Sequence, residues 1–409
     1  MPTAAQRRQH EALLLQLTNI PTAAGREDAV IQWITNWANR RKDLSLHADK
    51  HGNLILTHQA APQTDTPLFI TAHLDHPAFV ATALGADRTT LHADFRGGVH
   101  NEYFVGTQVR HAASGAIGTI TNLEQAKPDK RVTILFKKPI TAKPGEILTW
   151  HLPDATIKKN HLYAPACDDL AAVAAALSTF DLLRKPTLSK RGSAQPQPPD
   201  VRLLFTRAEE VGFIGALAAA KSRSIPRKAS LLCLENSKAF AESPLGAGPI
   251  VRVGDRTSVF TPALTDAAAR AAAQLAEDDP TFKWQRKLMP GGTCEATAFN
   301  AFGYAATCLC LPLANYHNMA PPEVTPVIRA KPTGSIRGPA QPKPKPKAKI
   351  APESIHLDDY HGLIRLLLAI ATAPGALKHD SKNAPLRHRL DTLLKSRRNL
   401  LSAPANPAP

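Results

Sequence analysis

Five acidic or histidine patches punctuate this chain, and their placement restricts the possible folds more than any other feature. LFITA runs into His73 and Asp75, VRLLFTRA into Glu209 and Glu210, SLLCL into Glu235 and TCLCLPLANY into His317, while Asp168 and Asp169 stand just before an Ala-rich stretch. Short apolar runs bounded by polar punctuation read as buried strands. Ligand-type side chains gathered at strand C-termini would line one edge of an α/β sheet, which is where such folds place their chemistry. The set reads as a two-metal hydrolase.

The rest of the chain fits that frame. Val30, Ile31, Ile34, Trp37 and Ala38 follow the polar GRED at helical spacing and predict an amphipathic helix over 25–41. Strands NLILTH and LFITAH come next. From about 77 to 162 the texture changes to short β-rich runs, VGTQVRH, AIGTITN, RVTILFK and GEILTWHL, with no helix among them. This block predicts a small β-barrel-like domain inserted into the α/β body. The alternation resumes with the helix DLAAVAAALSTFDLLR, then VRLLFT, a helix from 211, SLLCL, a helix near 263–276, FKWQRK, a helix near 293–301, AATCLCLP and the last helix, HLDDYHGLIRLLLAIATA. The expected fold is α/β, a mainly parallel sheet covered by helices. The catalytic domain would comprise 1–76, 163–330 and 351–373, with the inserted domain at 77–162, a Pro/Lys-rich linker at 331–350 and a basic flexible tail at 374–409.

Charge and cysteine content exclude other classes. The net charge of +16 suggests nucleic-acid binding until it is located. Residues 331–350 carry six basic side chains and no acid, 374–409 seven against two, and 184–200 four against one, which leaves the globular body close to neutral. Solubilising segments explain that distribution better than a basic groove. No apolar run approaches the roughly 18 to 20 residues needed to cross a bilayer. MPTAAQRRQHEALLLQL has neither the apolar core nor the cleavage site of a signal peptide, so a cytoplasmic location is expected. The five cysteines are odd in number and sit mostly in apolar runs, which predicts reduced, buried thiols.

Taken singly, each patch has an ordinary explanation. Asp168 and Asp169 could cap a helix, Glu209 and Glu210 could be solvated acids at a helix start, and His73 could end a strand like any other polar residue. The functional alternative needs a neutral imidazole on a metal, a carboxylate able to bridge two cations, and adjacent glutamates that diverge, one to a metal and one to a water. The set of five is what favours it.

In order and local context the set resembles the tetrahedral, or glutamyl-type, aminopeptidases, within the clan of cocatalytic zinc exopeptidases that also holds aminoacylase-like carboxypeptidases and deacylases. The matching pieces are IPTAAGRED, DKHGNLIL, TAHLDH, the inserted β-domain, ACDDLAAVAAAL, RAEEVGFIGA, LGAGPIVRVGD, GGTCEATAF and the ANYHN loop. The resemblance implies that His73 and Glu235 bind one zinc, that Glu210 and His317 bind the other, and that Asp168 bridges them. Glu209 would be the general base and Asp75 the partner of His73. It further implies two divalent ions, Zn²⁺ with Co²⁺ or Mn²⁺ as alternatives, short peptides as substrates and a homo-oligomer assembled through the β-domain.

Two departures keep other readings open. Glu235 stands where the family usually has Asp, and Glu there is more typical of the carboxypeptidase and deacylase relatives. Cys294 and Glu295 replace an Asp and a small residue in GGTCEATAF, so the pocket is expected to differ. The alternatives are an N-acyl-amino-acid deacylase or carboxypeptidase with the same metals, and a non-catalytic binding protein acting through its basic tails.

Overall fold

The computed structural model describes residues 2–126, 128–184, 198–320 and 348–373, with the isolated positions 392 and 395. Most of the predicted 331–350 linker and nearly all of the 374–409 tail lie outside the described residues.

In chain order, helices α1 (Ala4–Leu17) and α2 (Asp28–Asn39) precede strands β1 (Leu44–Ala48), β2 (Leu54–His58) and β3 (Leu68–His73). Six strands follow: β4 (Ala78–Leu84), β5 (Thr90–Arg96), β6 (Gln108–His111), β7 (Ile117–Glu124), β8 (Lys130–Phe136) and β9 (Ile147–Trp150). They close into a barrel in the order β4-β5-β8-β7-β6-β9. Phe79, Phe95, Phe104 and Trp150 fill it with edge-to-face and tilted contacts at ring separations of 4.7 to 6.2 Å. Strands β10 (Thr156–Lys158) and β11 (His161–Ala164) leave the barrel for a separate small sheet.

The body then resumes with α3 (Leu170–Leu183), β12 (Val201–Thr206), α4 (Ile214–Ser222), β13 (Ser230–Lys238), β14 (Ile250–Gly254), α5 (Pro262–Asp278), β15 (Gln285–Leu288), α6 (Glu295–Ala301) and β16 (Ala305–Leu313). Strands β17 (Met319–Ala320) and β18 (Lys349–Ile350) pair with each other, β19 (Glu353–His356) joins β11, and α7 (Leu357–Thr372) closes the described chain.

The main sheet runs β1-β2-β12-β3-β13-β16-β14-β15. Its centre is parallel, from β12 through β3 and β13 to β16, and between β12 and β13 the helix α4 returns the chain so that both strands run the same way. The predicted mainly parallel sheet is mixed at its flanks. The short β1–β2 connection, with Gly52 at φ +82°, forces an antiparallel pair, and β14 meets β16 antiparallel. Alternation along each strand sends successive residues to opposite faces. Leu54, Leu56, Leu203, Phe205, Leu309 and Leu311 face the layer of α1, α2, α3, α5 and α7. Ile55, Leu204, Cys308 and Cys310 face α4 and α6. Helix α3 is buried on every side from Leu170 to Phe180, wedged between the sheet and helices α1 and α7.

Candidate metal centre

The parallel strands bring most of the sequence-predicted residues to one sheet edge. His73 closes β3, Glu209 and Glu210 follow β12, and His317 lies in the turn after β16, while Asp168 arrives just ahead of α3. Glu235 lies within β13. SLLCL ends at Leu234, but the strand continues through polar residues: Asn236 donates to the Cys167 carbonyl, and Arg252 donates to Ser237 Oγ at 3.2 Å.

The side chains converge on two adjoining trios. His73, Asp168 and Glu235 form one; Asp168, Glu210 and His317 form the other; and Glu209 lies close enough to group with His73 and Glu210. Asp168 is common to the two trios, with Oδ1 3.4 Å from His73 Nε2 and Oδ2 3.5 Å from His317 Nε2. Glu235 Oε1 stands 3.9 Å from His73 Nε2, and Glu210 Oε1 stands 3.2 Å from His317 Nε2.

Both imidazoles are oriented by their other nitrogen. His73 Nδ1–H donates to the Asp75 main-chain carbonyl at 3.1 Å, and His317 Nδ1–H donates to the Gly98 carbonyl at 2.6 Å. Each ring therefore offers its Nε2 lone pair to the centre. The Asp75 carboxylate does something the sequence did not suggest. It accepts the main-chain N–H of Glu209 at 2.9 Å and of Glu210 at 3.0 Å, which leaves its nearer oxygen 3.6 Å from His73.

Several supporting residues escaped the sequence reading. Buried Glu353 on β19 accepts N–H groups from Cys167, Asp168 and His317 at 2.7, 3.0 and 2.8 Å. Buried Glu27 accepts the Ala208 N–H at 2.9 Å and the Arg207 Nε–H at 2.7 Å, fixing the approach to Glu209 at Ala208, where φ is +52°. His76 Nδ1 donates to the Asp168 carbonyl at 2.5 Å, and Asp169 Oδ2 accepts the His73 N–H at 3.2 Å. A buried acid that serves backbone amides has the same local sequence as a surface acid, so only tertiary structure identifies it.

Electrostatically the cluster calls for cations. Burial disfavours imidazolium at His73 and His317, yet Glu209 beside the first and Glu210 beside the second, with Asp168 next to both, hold their pKa values well above the ordinary range. Burial pushes the carboxyls of Glu209 and Glu235 well up, with neighbouring acids adding to it. Asp168 is drawn below its usual value because hydrogen bonds from His317 and His73 outweigh its burial. His73 Nε2, His317 Nε2, Asp168 Oδ1 and Glu210 Oε1 are all buried without a hydrogen-bond partner. Buried polar atoms in proteins are as a rule hydrogen-bonded, and four such atoms converging on one place fit metal ions.

A cavity of about 780 Å³ opens beside Glu235. Among the described residues its lining includes Lys130, Lys238 and Arg252, with Glu235 as the one carboxylate residue, together with Phe240, Met289 and Tyr316. Cys294 and Glu295 do not line it. They are buried at the start of α6, where Glu295 Oε2 accepts the Thr71 hydroxyl at 3.3 Å. Gly291, Gly292 and Thr293, just before them, do line the cavity. All five cysteines are buried free thiols, and Cys167 belongs to neither trio.

The sequence pattern of the M42 glutamyl aminopeptidase family matches residues 137–325, a span that takes in Asp168, Glu209, Glu210, Glu235 and His317. No curated protein matches the chain. Among solved structures, an aminopeptidase from the archaeon Desulfurococcus kamchatkensis shares 19% identity, with 91% of this chain and 97% of that one covered at a TM-score of 0.68. A TET aminopeptidase from a marine-sediment Thaumarchaeota archaeon shares 17%, covering 90% and 99% at 0.68. The Pyrococcus horikoshii TET1 peptidase, which can assemble into a tetrahedron or a large octahedral shell, shares 18%, covering 88% and 99% at 0.66. These likenesses establish the fold along nearly the whole length of each relative. Among the described residues, no helix is long and apolar enough to cross a membrane.

Proposed function

We infer the reaction from the premise that this chain is a peptidase of the M42 glutamyl aminopeptidase type. It removes N-terminal residues from short peptides at a centre for two divalent cations. The observation that carries this reading is the sharing of Asp168, whose two oxygens face two different histidines while Glu235 completes one trio and Glu210 the other.

Oxygen and imidazole donors without thiolate suit Zn²⁺, Co²⁺ or Mn²⁺. Bound there, two such ions would polarise the scissile carbonyl and lower the pKa of an attacking water toward neutrality. The remaining chemistry belongs to the chain. Glu209, buried beside the trios and raised in pKa, takes the water's proton and passes it to the leaving amine, a role worth about 10² to 10⁴ in rate. Asp75 keeps Glu209 and Glu210 divergent by holding both of their amides. The acidic edge of the centre suits a substrate ammonium, and the cavity beside it suits the first side chain.

Among the described residues the lining carries three cations and one carboxylate residue, a balance that favours an acidic side chain, with Arg252, paired on its far side with Asp255 at 3.6 Å, as the anchor. The Arg252 guanidinium is buried and its Nε has no partner. By analogy with the TET1 peptidase, which can assemble into a tetrahedron or a large octahedral shell, the chain forms a homo-oligomer, and the barrel is the module we propose for its contacts. The buried free thiols suit a cytoplasmic setting.

The test is hydrolysis of free and N-acylated aminoacyl amides and peptides by protein loaded with Zn²⁺, Co²⁺ or Mn²⁺. Turnover of the free-amine set alone supports the aminopeptidase. Turnover of only the acylated set would move the assignment to a deacylase, and silence with every metal would overturn the hydrolase reading.

A further inference from the structure

The barrel meets the cluster at a main-chain atom. The Gly98 carbonyl, in the turn after β5, accepts the Nδ1–H of His317 at 2.6 Å. Because that nitrogen is the donor, the ring's lone pair sits on Nε2, facing Asp168 Oδ2 at 3.5 Å and Glu210 Oε1 at 3.2 Å. Tyr316 stacks on the imidazole with centroids 3.7 Å apart, which sets the ring plane but not which nitrogen points inward. The carbonyl makes that choice.

The turn has little freedom. Gly97 adopts φ +131°, and a Cβ there would lie 2.7 Å from Pro77 Cβ and 2.9 Å from Pro77 Cα, so only glycine permits this approach. Pro77 follows His76, which holds the Asp168 carbonyl. On the barrel side, the Lys130 ammonium on β8 donates to the Val99 carbonyl. Position 98 is roomier, since a Cβ there would be 3.7 Å from His317 Nδ1, an ordinary contact.

We infer that the Gly97–Gly98 turn is a positioning element through which the barrel sets cation affinity at the Asp168–Glu210–His317 trio and leaves the His73–Asp168–Glu235 trio unaffected. The inference rests on the metal reading proposed above. It makes the inserted domain a working part of the metal centre as well as a module beside it.

Full-length metal-free protein titrated with Co²⁺, followed by calorimetry and visible absorption, tests it. Wild type should take two ions per chain. Gly97→Ala should keep one near wild-type affinity and weaken the other by about 10- to 100-fold, the usual cost of losing a group that orients a metal-binding histidine. Gly98→Ala should leave both intact. Lys130→Met loosens the turn without touching its glycines and should weaken the same single ion, although removing a nearby positive charge would by itself strengthen cation binding; it decides the matter if Gly97→Ala does not fold. Equal weakening of both ions, or wild-type affinity at both, in the folded variants overturns the inference while leaving the metal reading standing. Wild-type protein that takes no ion overturns both.

Discussion

Glu353 holds the main chain of Asp168: its Oε2 accepts the Asp168 N–H at 3.0 Å while its Oε1 accepts the His317 N–H at 2.8 Å. One carboxylate thus ties the residue shared by the two trios to the histidine of one of them. Glu353→Gln would turn an amide N–H₂ toward a backbone N–H. We expect about 10- to 100-fold weaker metal binding and a loss of about 1 to 3 kcal/mol in stability, measured by metal titration and denaturant unfolding.

Glu209→Gln should lower kcat by about 10² to 10⁴ with unchanged metal content. Metal analysis beside turnover of a free-amine substrate checks this. Loss of metal in the variant would make Glu209 a ligand.

Asp75→Ala removes the acceptor of two buried amides. The expected result is a loss of about 1 to 3 kcal/mol together with a fall in kcat, because both neighbouring glutamates lose their fixed backbone. His73 keeps its main-chain carbonyl partner, so the ion at its trio should remain.

Arg252→Met should erase a preference for acidic N-terminal residues. A charged hydrogen bond of about 1.5 to 3 kcal/mol corresponds to roughly 10- to 150-fold in kcat/KM between Glu and Ala substrates. Asp255, 3.6 Å from Arg252, keeps N–H donors from Thr257, Ser258 and Cys294, so the variant should fold.

Far from the site, Asp181 on α3 binds Arg41 at 2.9 Å and also Arg184. Burial pushes its carboxyl up, but the two guanidiniums more than offset that and hold it below the usual value. A depressed folded pKa gives stability that is fully present above the unfolded value of about 3.9 and is lost as pH falls through the folded pKa. Asp181→Asn should therefore destabilise the protein at pH 7, with the gap to wild type closing below about pH 4 in thermal unfolding series.

The patches were legible because each sits where a strong local pattern breaks. LFITA and SLLCL are unmistakable buried strands, so the polar residues that follow them stand out. The barrel was legible from its short strands and turn residues. The antiparallel flanks were not, since pairing direction depends on connections that periodicity does not encode. Helix α1 was missed because its apolar residues cluster at LLLQL without a long helical stripe. Glu27, Glu353 and the Gly98 carbonyl act through backbone contacts with residues distant in sequence, and no local window contains such a contact.

Helix α3 also bears on how such a chain can change over evolutionary time. Alanines buried on all sides let the sheet and the outer helices approach closely, and any larger side chain there would overpack the core at about 1 to 3 kcal/mol. The helix that follows Asp168 therefore tolerates little enlargement of its side chains. Room for new side chains lies instead in the segments facing the cavity, such as 289–293, where Gly291 has nothing within 4 Å of an added Cβ. A side chain can therefore be added at the rim without disturbing the packing that holds Asp168.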